Sequence, residues 1–384
     1  APRPVVDNMM GADTVKASLT EDLVNELYPL ALDEHNLVPL FKPEFDMDTE
    51  IVEDNKPFSF STTIDVKPSF ELSSYDNVSV EIPMPEAMKN MIVLNAVDDI
   101  EKIGKLVDFV FCAVDMKKDE IKALEEKYAK AEIPVVSNNS AHRGTPDVPM
   151  VVPEINDDHI QIIEAQRKRL GTKKGFIAVK SNCSIQSYVP ALHPLKEYGI
   201  TKVLACTYQA ISGAGKTFES WPEMVDNLIP FIGGEEEKSE QEPLKVWGHI
   251  EGDKIINASE PSITTQCLRV PVSDGHTAAV FVSFDKKPSK DDILKKWRDF
   301  KGAPQELDLP SAPKQFIHYF EDDNRPQAKL DRNLEGGMAV SAGRLREDTQ
   351  YDYKFVCLSH NTLRGAAGGG VLLAELLAAK GYFD

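Results

Sequence analysis

At 384 residues, 42% of them apolar and 27% charged, the chain has the size and composition of an ordinary globular protein with room for two or three domains. A formal charge of −19 argues against nucleic acid, where a basic surface supplies most of the affinity, and no apolar run approaches the ~18 residues of a membrane span. The five cysteines (Cys112, Cys183, Cys206, Cys267 and Cys357) are odd in number and scattered, with no CxxC pair, which argues against disulfides or structural zinc and for a reducing cytoplasm.

The chain begins at Ala1 without a signal-peptide pattern, as a fragment or processed product would. Its charge is unevenly spread: residues 1–83 hold 17 Asp/Glu against 5 Lys/Arg, a balance of −12, and the other 301 carry −7. Gly11 is the only glycine before Gly104. Both shifts put a boundary near Pro83.

In the first segment, Ser18-Leu19-Thr20-Glu21 has the capping-box pattern that opens a helix. Leu19, Leu23, Leu27 and Leu30 follow at helical spacing, and Pro29 is expected to kink or end that helix. Phe58, Phe60, Ile64 and Val66 predict one face of a strand, and Val78, Val80 and Ile82 a second. This segment resembles part of the ribosome-binding domain of trigger factor, through Ala1-Pro2-Arg3, Asn25-Glu26-Leu27-Tyr28-Pro29, and Lys56-Pro57-Phe58-Ser59-Phe60 on to Val66-Lys67-Pro68. In that family the basic loop that touches the ribosome lies upstream of where this chain starts. Ribosome binding is therefore not expected, and an acidic adaptor or an accident of gene assembly is the plainer reading.

The second piece starts near Met84. Val107-Asp108-Phe109-Val110-Phe111 reads as a buried parallel strand. A charged helix, about Lys117 to Ala131, and then Pro134-Val135-Val136 complete a βαβ unit. A further strand, Phe176-Ile177-Ala178-Val179, runs into Ser181-Asn182-Cys183-Ser184. Ile185, Tyr188, Val189 and Leu192 then recur at helical spacing, with Gly199 as the stop. Cys183 is thus expected at a helix N-terminus, where backbone N–H groups and the helix dipole favour a thiolate. A buried structural thiol is the commoner fate of a free cysteine.

Beyond it, Thr207-Tyr208-Gln209-Ala210-Ile211-Ser212-Gly213-Ala214-Gly215 is a polar glycine turn after a strand, where backbone can approach a flat ligand. Glu235-Glu236-Glu237-Lys238, with Glu242 beyond, has the ordinary meaning of a solvated charged helix face. Arg269 and His276 stand seven apart after an apolar strand, offering a planar donor fork and a group that titrates near neutrality. Arg143 follows Ser140-Ala141-His142, and His142 reads as structural. Near the end, Ser359-His360-Asn361-Thr362 leads through Gly365-Ala366-Ala367-Gly368 into an apolar, buried helix, Val371 to Ala379.

Over about residues 84–384 these motifs closely resemble the aspartate-β-semialdehyde dehydrogenase family, with Ser-Asn-Cys-Ser as its nucleophile motif. The resemblance implies a cytoplasmic, NADP-dependent acylating dehydrogenase that reduces β-aspartyl phosphate through a cysteine thioester and assembles as a homodimer or homotetramer. By resemblance Cys183 is the nucleophile, His276 the acid/base and Gln209 the group that orients the acyl intermediate. Arg269 grips the substrate carboxylate, Lys238 and Arg143 its phosphate, and Glu235 or Glu236 its ammonium, with Asn182 also at the substrate. Ser212, Gly213, Gly215 and Asn361 lie at the nicotinamide, and no metal is needed.

The implied fold is an incomplete Rossmann-like parallel sheet (residues 84–182 and 364–384) plus an α+β catalytic and dimerisation domain (183–363). A small α+β segment (1–83) precedes it. The family's Gly-x-x-Gly-x-x-Gly pyrophosphate turn has no counterpart in residues 1–103, so weak NADP binding and unpaired strand edges are expected. Malonyl-CoA reductases share the motifs and remain an alternative. Glyceraldehyde-3-phosphate dehydrogenases fit less well, with Ser-Cys-Thr-Thr-Asn at the nucleophile. A chaperone-derived binding module is the alternative of another class.

Overall fold

The computed structural model describes residues 10–35, 43–45, 51–53, 56–64 and 95–384. Its contacts divide the chain into two units, 1–91 and 92–384.

In the first unit, helix α1 (Ala12–His35) runs through the region where the sequence predicts both a start and a stop. Ser18 and Thr20 lie inside the helix instead of capping it. The Thr20 hydroxyl is spent elsewhere: Oγ1 donates to the Lys16 carbonyl at 2.8 Å and accepts from the Val52 N–H at 2.9 Å. Pro29 sits within the helix, which continues to His35. Two short strands, β1 (Glu44–Phe45) and β2 (Thr62–Thr63), pair antiparallel. The strand predicted from Phe58 onward shrinks to β2, but its alternation survives: Phe58, Phe60, Thr62 and Ile64 are half-buried, and the residues between them are exposed. Val66, Val78, Val80, Ile82 and the boundary near Pro83 lie outside the described residues.

The second unit holds two main sheets. The first is parallel, ordered β3 (Val110–Cys112), β4 (Val135–Ser137), β6 (Ile177–Lys180), β5 (Met150–Val151). All residues of β4 and β6 are buried, which is why those segments read as continuous apolar runs. Helix α2 (Lys118–Lys130) buries Ile121, Leu124, Tyr128 and Ala129 on one face, and the Glu120 carboxylate accepts from the Lys117 N–H at 3.2 Å at its start. Helix α3 (Ile163–Leu170) ends at the left-handed Gly171. Among the described residues nothing pairs with the outer edge of β3, where Phe111 is half exposed. The predicted strand from Val107 begins only at Val110, and Val107 is exposed.

The second sheet is mixed and six-stranded, ordered β10 (Ser262–Arg269), β7 (Ile200–Gln209), β11 (His276–Phe284), β14 (Tyr353–Ser359), β13 (Val340–Glu347), β12 (Ile317–Phe320). Pairs β10/β7 and β12/β13 are parallel; the others are antiparallel. A two-stranded ribbon, β8 (His249–Glu251) and β9 (Lys254–Ile256), lies beside it in sequence. Helix α4 (Glu235–Val246) packs on β10, and α5 (Lys290–Asp299) packs Ile293 and Trp297 into the core.

One core runs from Leu124, Val135 and Val179 through Tyr188 and Leu192 to Val280, Trp297 and Phe355, joining the two sheets. Helix α6 (Ala367–Ala379) lies against β4 and β6 and buries Leu372, Leu373, Leu376 and Leu377 with Val136, Phe176 and Ala178. Beyond it Phe383 stacks on Phe109, ring centroids 4.4 Å apart. The expected parallel sheet followed by an α+β domain is the architecture observed among the described residues.

Candidate active site

Strand β6 delivers Ser181-Asn182-Cys183 to the junction between the sheets, as its apolar pattern predicts. The helix expected after Cys183 does not form as one piece. Short turns over Ile185–Ser187, Val189–Leu192 and His193–Tyr198 replace it before Gly199 stops the chain. Pro190 and Pro194 have no N–H to give an α-helical ladder, so the macrodipole at Cys183 is far smaller than a long helix would supply.

The turn is held by side chains instead. Asn182 makes three ties: its N–H donates to the Glu242 carboxylate at 2.5 Å, its amide donates to both Glu235 oxygens at 3.1 Å, and its Oδ1 accepts from the Ser184 N–H at 2.6 Å. Ser181 Oγ accepts from Gln186 Nε2 at 2.6 Å. Gln186 in turn accepts from Arg364, whose guanidinium is forked on the buried Glu154 carboxylate.

Cys183 keeps part of its surface open. Its Sγ lies 3.5 Å from His276 Nε2. The other imidazole nitrogen, Nδ1, accepts from the Ala210 N–H at 3.1 Å. A neutral ring that accepts at Nδ1 carries its proton on Nε2, so His276 presents a donor to the sulfur. Burial, the Arg269 guanidinium and His360 push His276 down to about 3, so it is neutral near pH 7. Burial pushes the Cys183 thiol up, opposed by Lys180, Arg143 and Arg269, while Glu235 adds to the rise. The sequence-level argument for a thiolate from the helix end alone is thus corrected: burial raises the thiol, and nearby cations are what oppose it.

Arg269 is buried at the end of β10 and donates from Nη1 to the Ala210 carbonyl at 2.7 Å. Gly213 leaves the space beside it clear: a Cβ there would stand 2.8 Å from Arg269 Nη1 and 2.9 Å from His276 Cε1. On the far side a Cβ on Gly365 would be 2.7 Å from Cys183 Cβ. Two glycines therefore hold open the approach to sulfur, histidine and arginine. Ser212 and Gly215 share the turn after β7, and Gly215 is left-handed. Asn361 bridges that turn to β11, accepting from the Gly275 N–H at 2.7 Å and donating to Ser212 Oγ at 2.9 Å. Its amide is used within this bridge.

Helix α4 places Glu235, Lys238 and Glu242 on one face, three and seven residues apart. Glu235 accepts from Lys238 Nζ at 2.8 Å, from Asn182, and from Gln209 Nε2 at 3.4 Å. Glu236 points away, accepting from Gln266 Nε2 at 2.7 Å and the Cys267 N–H at 3.2 Å. Of the two carboxylates the sequence offers, the structure brings Glu235 to the site and uses Glu236 to fasten β10. Arg143 donates to Glu242 at 3.1 Å and to the Lys180 carbonyl at 2.9 Å. With Lys238, Lys118 and Ser140 it lines a cleft of about 410 Å³ suited to an anion.

Three contributors are not singled out by the sequence. Glu242 was legible only as one acid of a charge run; its spacing of seven from Glu235 is the available signal. Lys245 is buried and donates to the carbonyls of Arg143, Thr145 and Val148 at 2.7, 2.8 and 2.9 Å, fixing the Arg143 loop to α4. Lys180 ends an otherwise apolar buried strand next to the nucleophile motif. Among the described residues no group of His, Cys, Asp or Glu is placed to hold a metal ion, and no helix is long and apolar enough to cross a membrane.

A parallel dinucleotide-type sheet joined to a mixed sheet, with a Cys–His pair and a buried arginine at their junction, defines the semialdehyde dehydrogenase class. Models of that class match accordingly, the NAD binding domain at residues 64–163 and the dimerisation domain at 192–364. A model of the bacterial trigger factor protein matches residues 1–100. The aspartate-semialdehyde dehydrogenase of Methanothermobacter thermautotrophicus is 39% identical over 335 residues, covering 83% of this chain and 94% of that protein. The enzyme from Candida albicans is 43% identical over 286 residues, 71% and 78% of the two chains. The crystal structure of aspartate semialdehyde dehydrogenase with NADP from Candida albicans superposes with a TM-score of 0.69 at 37% identity, covering 80% of this chain and 86% of that one. The chain belongs to the aspartate-semialdehyde dehydrogenase family.

Proposed function

We propose that this chain interconverts β-aspartyl phosphate and aspartate semialdehyde with NADP as the redox partner, in the cytoplasm and as a homodimer or homotetramer. One observation carries the reading: Cys183 Sγ stands 3.5 Å from a His276 whose Nε2 is its donor, and Arg269 flanks the same glycine as that histidine.

The Cys183 sulfur attacks the acyl carbon; a C–S bond forms as the bond to the phosphate oxygen breaks, and phosphate leaves. Arg143 and Lys238 receive it in the cationic cleft. Arg269 holds the α-carboxylate with its planar fork. Glu235, already facing Lys238, receives the α-ammonium, and Gln209, hydrogen-bonded to Glu235, orients the acyl group from the floor. His276 donates to sulfur and stabilises it as a leaving thiolate when the aldehyde departs. NADPH, when bound, supplies the hydride that reduces the thioester.

The residues present fit the nicotinamide end of that cofactor: Ser212, Gly213 and Gly215 form an open turn beside His276 and Arg269, braced by Asn361. The pyrophosphate end lacks its glycine turn in residues 1–103. A buried carboxylate at the substrate's ammonium position favours an amino-acid substrate over malonyl-CoA, which has no ammonium to meet Glu235.

The test is the reverse reaction, aspartate semialdehyde with phosphate and NADP, read by NADPH formation. Cys183→Ser should abolish it by at least about a thousandfold. Selective alkylation of Cys183, prevented by substrate, is the companion result. Turnover of malonyl-CoA in preference to the aspartyl substrate, or full activity in the serine variant, overturns the reading.

A further inference from the structure

Of the charged groups around the cleft of about 410 Å³, Glu242 is the one whose place there needs a reason. Four cations line that cleft (Lys118, Arg143, Lys238 and Lys245) together with two acids, Glu237 and Glu242. Glu237 is exposed and keeps its charge in water, whereas Glu242 is only 7% exposed. A buried carboxylate on the wall of an anion site repels the ligand that the cations attract. Its own desolvation is costly unless it is paired.

The two oxygens of Glu242 are bound to different parts of the site. Oε1 accepts from Arg143 Nη1 at 3.1 Å, within the cleft. Oε2 accepts from the Asn182 N–H at 2.5 Å, one residue before the nucleophile. Both partners are anchored a second time. Arg143 donates from Nε to the Lys180 carbonyl at 2.9 Å and from Nη2 to the Asn138 carbonyl at 3.1 Å. The Lys245 ammonium, three residues along α4 from Glu242, holds the Arg143 loop by three carbonyls. These bonds leave one guanidinium N–H on each terminal nitrogen of Arg143 for a ligand. Asn182 in turn is tied to Glu235 and to the Ser184 N–H. The Glu242 carboxylate is thus a short, fixed strut between the anion cleft and the nucleophile turn.

Resting on the assignment of this cleft to the departing phosphate, we propose that Glu242 is a positioning residue that couples phosphate occupancy to the nucleophile turn. One oxygen holds the Asn182–Cys183 backbone in place for attack. The other competes with phosphate for the Arg143 guanidinium, so the anion is held loosely enough to leave. When phosphate takes Arg143, the Glu242 charge is no longer shared with that cation, and its bond to the Asn182 N–H tightens.

The experiment compares wild type with Glu242→Gln in the full chain. Glutamine keeps the shape and an accepting oxygen and removes the charge. The dissociation constant of inorganic phosphate, by phosphorus NMR titration, should fall about threefold or more. In the reverse reaction kcat should fall about tenfold. Tighter phosphate with slower turnover is a split that general damage to the fold does not produce. A phosphate constant that rises or stays, or a kcat that stays, overturns the proposal. If Glu242→Gln does not fold, or turnover is too slow to compare, hydrogen exchange at the Asn182 amide of wild type decides. Saturating phosphate should slow it about threefold or more, and an unchanged or faster rate refutes the coupling. Should wild type not bind phosphate at all, the assignment of the cleft itself fails and takes the coupling with it, a result distinct from an unmoved constant in the variant.

Discussion

Arg269 illustrates how much a single side chain is asked to do here. Its Nη1 is fixed on the Ala210 carbonyl and lies beside the space kept clear by Gly213. Arg269→Lys keeps the charge and loses the second parallel donor. The expected result is a fall of roughly ten- to a hundredfold in kcat/KM for aspartate semialdehyde, chiefly through KM, with folding unchanged by circular dichroism. Cys183, His276 and Arg269 were singled out through the resemblance of their flanking motifs, and the fold brings the three together. Lys180 was not. A lone lysine after Phe176-Ile177-Ala178-Val179 reads as the polar end of a strand, and only the fold reveals that it stays buried.

Among the elements, α4 is the one on which the site depends most. Glu235 and Glu242 fasten the nucleophile turn from its first and third turns, and Lys245 fastens the Arg143 loop from its last. Lys245→Met would leave the carbonyls of Arg143, Thr145 and Val148 without their donor. A loss of about 1–3 kcal/mol is expected, read as a lower urea midpoint, together with a raised KM for phosphate. Charge-run logic could not find this, since the acids and lysines of α4 look like a solvated face until β10 is seen packed against them. The elements themselves were largely legible: α2, α6, β4 and β6 fall where periodicity puts them. The failures share one cause, local signals outvoted by context. Thr20 has the chemistry of a cap but spends its hydroxyl inside α1, and Pro190 and Pro194 break up a segment whose apolar spacing is perfectly helical.

At the scale of the whole molecule, five histidines are held below their ordinary value by burial: His142, His159, His193, His276 and His360. His193 falls to about 4 and His276 to about 3, against 6.5 for the free side chain. In that window the unfolded chain binds protons that the folded chain refuses, so stability rises with pH there and is lost on acidification. Thermal melts between about pH 7 and about pH 4 should show the melting temperature dropping steadily from about pH 6.5 downward, and His193→Phe should blunt the drop.

The charge and glycine asymmetry told of two unlike pieces, and the trigger factor and NAD binding domain models do overlap, at residues 64–100. What the sequence withholds is any phosphate-cradling turn ahead of β3. Calorimetric titration should therefore find NADP binding weaker than micromolar; a micromolar constant would mean that another segment supplies the cradle.

Helix α6 has a bearing on how this protein is made. It covers the apolar face formed by Val136, Phe176 and Ala178, while Asn361 and Gly365 just before it close the wall around the sulfur. During translation every other part of both sheets emerges first and waits, greasy side bare, for this one late arrival. A premature stop codon in the final stretch would therefore yield an insoluble product rather than a sluggish enzyme.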